Sequence, residues 1–92
     1  MTQVIHIRDK RPGDVYIGRG SPFGNPFILD KDGSRAEVIK LFKEYFYTRL
    51  RKSPEFASQV KSLKGKRLAC YCKPKACHGD IIAEYLNTRE DE

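Results

Sequence analysis

Along this 92-residue chain the spacing of apolar residues changes several times, and each change marks an element. VIHIR (Val4–Arg8) alternates apolar with other side chains, the period of a short half-buried strand, and DKRPGD then turns the chain through Pro12 and Gly13. VYIG (Val15–Gly18) reads as a second strand. In RGSPFGNPF (Arg19–Phe27), glycine and proline interleave with Phe23, Asn25 and Phe27, so regular structure gives way to an ordered loop.

The period then lengthens. SRAE (Ser34–Glu37) has the capping-box form in which a serine hydroxyl and a glutamate carboxylate satisfy each other's backbone N–H groups at a helix start. Val38, Ile39, Leu41, Phe42, Tyr45, Phe46 and Leu50 recur at three- and four-residue spacing, which predicts a helix to about Lys52 with one broad core stripe. Ser53 and Pro54 open a shorter helix whose Phe56, Val60 and Leu63 share a face, and Gly65 ends it. KRLACYC (Lys66–Cys72) returns to strand, with Leu68, Cys70 and Cys72 on one face and Ala69 and Tyr71 on the other. After KPKA a last helix runs from about His78 to about Asn87, presenting Ile81, Ile82, Tyr85 and Leu86.

This order predicts an α/β fold: a small single domain with a mixed or parallel sheet of about three strands packed with about three helices. A helical crossover separates the second and third strands, the connection that parallel neighbours require, with the usual right hand. In that case RGSPFGNPF and CKPKACHGD leave the same carboxyl edge of the sheet, where open α/β folds place ligands.

The order of motifs resembles a known family. VYIGRGSPFGNPF, a helix opened by Arg35 and Val38, and LKGKRLACYCKPKACHGDIIAEYL are similar to the VYIGR, GNPF, L-x-GK, CWC and PCHGD segments of the domain-of-unknown-function family DUF4326, short proteins of phages and bacteria. The resemblance covers roughly Val4 to Leu86. Tyr71 stands where tryptophan is common, and Ala76 where a proline often precedes the Cys-His pair. The resemblance implies that the GNPF and CHGD segments belong to one site.

Length supports one domain over residues 1–92, with 88–92 a disordered acidic tail in which Arg89 faces three acidic neighbours. A hydrophobic fraction of 39% suits a folded core, so the 33% of charged residues reads as solvated surface. The net charge of +6 favours an anionic small molecule or nucleic acid as partner. MTQVIHIRDK lacks the apolar run of a signal peptide and no window approaches a membrane span, which points to the cytoplasm and away from a membrane. Three cysteines, an odd count, argue against a disulfide framework there. Monomer and homodimer are both open.

All three cysteines, one of the two histidines and an aspartate fall between Cys70 and Asp80. Zinc could take Cys70, Cys72, Cys77 and His78. C-x-C is tighter than the usual C-x-x-C, however, and Cys77 and His78 would diverge at a helix start, so no metal or other cofactor is favoured. A reactive thiol is a second reading: Cys77 at a helix N-terminus, helped by Lys73 and Lys75, with His78 and Asp80 for proton transfer and orientation. A third is an anion cleft, with free donors at the helix start, close approach at Gly79, Arg19 as a bidentate clamp, Asn25 for a base or sugar edge, and Phe23 and Phe27 for stacking. The bland counterparts are also concrete. Cys70 is a small buried hydrophobe, Asn25 a turn former, Asp80 a helix-dipole partner and His6 a half-buried strand histidine.

Folding does not require these polar residues together, which favours a site. The expectation is a cleft of Arg19, Ser21, Asn25, Cys72 and Gly79 as ligand-binding residues, with His78, Asp80 and Cys77 as the catalytic set, handling a nucleotide- or nucleoside-like anion. The residues admit a hydrolase or transferase without requiring one. The alternative is a non-catalytic nucleic-acid or protein-binding module, stapled by zinc, whose basic face is Lys64, Lys66, Arg67, Lys73 and Lys75.

Overall fold

The computed structural model describes residues 2–18, 20–28, 30–71, 75 and 77–88. The sheet is assembled on a central strand that comes late in the chain. β1 (Gln3–His6) and β2 (Val15–Tyr16) flank β3 (Arg67–Cys70) in the order β1-β3-β2, and both pair with it in parallel. Val4 and Val15 both lie opposite Leu68, forming an apolar row across the sheet. That row packs into one cluster with Phe42, Phe46, Phe56, Val60, Ile82 and Leu86, so all three helices contribute to the same core. Fully burying each such side chain is worth roughly 1.5–3 kcal/mol.

Side chains alternate along a strand, so Arg67 points away from Leu68. Its Nη2 donates to the Asp9 carbonyl at 3.0 Å and its Nε lies 3.4 Å from Asp14 Oδ2. The β1–β2 connection is thereby tied to the start of β3. β1 ends earlier than its alternation predicts, because Ile7–Asp9 winds into a 3₁₀ turn in which the Arg8 N–H donates to His6 Nδ1 at 3.1 Å. β3 likewise stops at Cys70.

α1 (Arg35–Lys52) begins with the capping box: Glu37 N–H donates to Ser34 Oγ at 3.3 Å and Ser34 N–H to Glu37 Oε1 at 3.1 Å. The bonds from Ser34 hold the Glu37 carboxyl below its ordinary pKa. The helix buries Val38, Phe42 and Phe46, while Ile39, Leu41, Tyr45 and Leu50 form the half-buried margins of the stripe. α2 (Pro54–Lys61) is capped by Ser53 Oγ, which accepts from Phe56 N–H at 3.2 Å. Gly65 follows at φ 81°, a left-handed angle that suits glycine, and its N–H donates to Thr2 Oγ1 at 2.9 Å. α3 (Gly79–Thr88) lies against β1, and near its end the Asn87 amide clasps the Thr2 backbone through both its oxygen and its nitrogen. Residues 89–92, most of the expected tail, fall outside the described residues.

Candidate functional site

The chain leaving β2 and the chain leaving β3 depart from the same edge of a parallel sheet, and one histidine joins them. His78 Nε2 lies 2.7 Å from the Ile17 carbonyl oxygen. A carbonyl only accepts, so Nε2 carries the proton and the lone pair of Nδ1 faces Cys77 Sγ at 3.6 Å. The ring is only 8% exposed and stands edge-on to Phe42, with centroids 5.0 Å apart. Burial pushes the His78 pKa below 6.5, outweighing the Ile17 and Phe23 carbonyls and the Asp80 charge, which pull upward. His78 is therefore neutral at pH 7.

Cys77 is 1% exposed. Its Sγ lies 2.7 Å from Cys70 Sγ and accepts the Gly79 N–H at 3.3 Å. Its own N–H donates to Asp80 Oδ2 at 3.1 Å. The Asp80 and Ile81 N–H groups bond the Cys77 and His78 carbonyls, each at 3.0 Å. The N–H groups of Gly79, Asp80 and Ile81 are thus engaged within the protein. A Cβ on Gly79 would lie 2.5 Å from Ile17 Cδ1 and 3.2 Å from Val4 Cγ1, so this glycine permits close packing of α3 on the sheet.

The loop after β2 is held from several sides. Ser21 Oγ donates to the Gly18 carbonyl at 2.7 Å and accepts the Phe23 N–H at 3.3 Å. Asn25 accepts the Phe27 N–H at 2.9 Å, while its Nδ2 donates to the Val38 carbonyl at 3.3 Å. Phe23 is buried beside Phe56, and Phe27 meets Tyr45 edge-on. Arg49 lies over the Phe56 ring at 3.9 Å, donates to Tyr45 Oη at 3.0 Å and reaches the Pro22 carbonyl at 3.4 Å. Together these contacts fasten the loop to α1, to α2 and to itself.

The structure therefore brings Cys70, Cys77, His78, Gly79 and Asp80 together and ties them to the end of β2. Ser21 and Asn25 shape the neighbouring loop. Arg19 and Cys72, both expected at the site, lie outside the described residues, as does Lys73 of the expected basic face. Of that face, Lys64, Lys66 and Lys75 are exposed, whereas Arg67 forms an ion pair with Asp14 and donates to the Asp9 carbonyl. Cys77 and His78 do not diverge as a helix start would make them, because both precede Gly79, the first helical residue. Even so, among the described residues no group of three or more His, Cys, Asp or Glu side chains is placed to hold a metal ion. No described helix is long and apolar enough to cross a membrane.

Two features have no counterpart in the sequence-based site. Tyr71, immediately after β3, is 67% exposed, and its ring is met edge-on by Tyr16 at 6.1 Å and His6 at 6.4 Å. Its position on the outward side of C-x-C was the available signal. An open groove of about 530 Å³ runs along α1, lined by Lys40, Lys43, Glu44, Tyr47, Thr48 and Arg51, none of them a predicted site residue.

Comparison with known proteins adds a family and a relative. The family model "Domain of unknown function (DUF4326)" matches residues 4–88. An "Uncharacterized 12.4 kDa protein in nrdA-td intergenic region" of Enterobacteria phage T4 is 45% identical over 74 residues, covering 80% of this chain and 68% of the phage protein. No solved structure matches.

Proposed function

The chain belongs to the DUF4326 family, and from its geometry we propose that it binds a nucleotide- or nucleoside-like anion at the carboxyl edge of the sheet. The observation that carries this reading is the bond from His78 to the Ile17 carbonyl, which holds the segments leaving β2 and β3 side by side at an edge that open parallel sheets use for ligands. Tyr71 supports it as an exposed aromatic face on which a base can stack, steadied by Tyr16 and His6. Arg19, next to Gly18 in the chain, and the exposed Lys75 supply positive charge for a phosphate. Cys77, His78, Asp80 and Asn25 form the frame of the site in this reading, because their polar atoms are engaged in holding its walls.

Isothermal titration calorimetry with adenosine, guanosine, cytidine and uridine monophosphates and triphosphates tests the proposal. The expected result is saturable one-to-one binding that weakens less than about tenfold between roughly 50 and 200 mM salt, where a protein gripping many backbone phosphates loses about 10³–10⁵ in affinity. Tyr71→Ala should weaken binding at least about fivefold, the low end of base–aromatic stacking, with the thermal midpoint unchanged. No binding across the set would overturn the reading. A steep salt dependence would replace it with a nucleic-acid-binding module.

A further inference from the structure

We propose that Cys70 and Cys77 form a redox-active dithiol that closes to a disulfide at the expense of a small-molecule disulfide such as oxidised glutathione. The two sulfurs come from different elements, the last residue of β3 and the approach to α3, yet lie 2.7 Å apart. Each side chain is 1% exposed, so both sulfurs are fixed by packing and do not meet by chance at a surface. Closing the bond to its usual length of about 2.05 Å asks for a displacement well under 1 Å.

The surroundings of Cys77 suit it to attack. The Gly79 N–H donates to the Cys77 sulfur at 3.3 Å, and the unprotonated Nδ1 of His78 lies 3.6 Å from it. A donor aimed at the sulfur favours a thiolate, and a neighbouring imidazole lone pair can receive the thiol proton. Cys77 is thus the attacking sulfur, reached by glutathione disulfide when the start of α3 opens locally, because in the closed fold it is 1% exposed. Its thiolate attacks one sulfur of glutathione disulfide and expels one glutathione thiolate, leaving a mixed disulfide on Cys77. The Cys70 thiolate then attacks the Cys77 sulfur and expels the second glutathione. Two electrons pass from the cysteine pair to glutathione disulfide, and the two thiol protons pass to the released glutathiones. Closure ties the end of β3 directly to the start of α3.

The test uses the intact chain. Reduced protein is equilibrated with glutathione disulfide, quenched, denatured and alkylated with iodoacetamide, and its peptides are mapped by mass spectrometry. The expected result is a fall from three alkylated cysteines to one, Cys72, with a linked peptide pair joining Cys70 to Cys77. Cys72→Ser should close the same pair, which keeps the outcome independent of whether Cys70→Ser or Cys77→Ser folds. Three alkylatable thiols, a stable glutathione adduct without closure, a link through Cys72, or one equivalent of zinc co-purifying and protecting the thiols would each overturn the proposal. None of these outcomes depends on the nucleotide titration.

Discussion

His78 and Ile17 meet through Nε2 and a main-chain oxygen at 2.7 Å, and that contact joins the third helix to the end of the second strand. Truncation by His78→Ala removes the imidazole from this junction and strands a buried carbonyl beside a cavity against Phe42. The combined cost should be roughly 2–4 kcal/mol, read as a lower urea midpoint with an unchanged slope. A midpoint equal to wild type would show that the bond is dispensable for folding.

The same burial predicts a pH response of definite sign. His78 has a lower pKa in the folded protein than the ordinary 6.5 it regains on unfolding, so between those two values the unfolded chain binds the extra proton. Stability is then flat above the unfolded value and falls as pH drops from 6.5 toward the lowered folded pKa. Urea unfolding at a series of pH values from about 8 to about 5 should show this decline, and His78→Gln should remove most of it. Wild-type stability that rises on acidification across that window would contradict the neutral, buried assignment.

Gly79→Ala opposes two effects. Alanine suits a helix better than glycine by up to about 1 kcal/mol. Against that, the added methyl would sit 2.5 Å from Ile17 Cδ1, the end of a fully buried side chain that must then shift within the packed core. Overpacking of this kind costs roughly 1–3 kcal/mol, so the variant should melt at a lower temperature than wild type. A higher melting temperature would mean that α3 and β2 can separate freely at this point.

Much of this architecture was legible locally. The Ser34–Glu37 box, the α1 stripe ending in Phe42 and Phe46, and the proline and serine at the start of α2 each encode their structure within a few residues, and each lies where the pattern puts it. The parallel pairing of β2 with β3 followed from the helical crossover between them. Strand ends were less legible, because His6 captures the Arg8 N–H and bends the chain where alternation alone continues. The candidate site could be read as a cluster of residue types but not as a set of contacts. Nothing local says that Asn25 donates to Val38, or that Cys77 selects Cys70, since those partners are chosen by how α1 and α3 pack on the sheet.

The central position of β3 also constrains how the molecule is made. β1 and β2 are synthesised early but have no strand to bond until Arg67–Cys70 is available, so their backbone groups stay with water while most of the chain is translated. The helical hairpin of α1 and α2 can form first from near neighbours, whereas the sheet requires long-range closure and is slower. A nascent chain halted on the ribosome before residue 67 should therefore be helical, sticky and protease-sensitive, and should acquire its fold only once the third strand emerges.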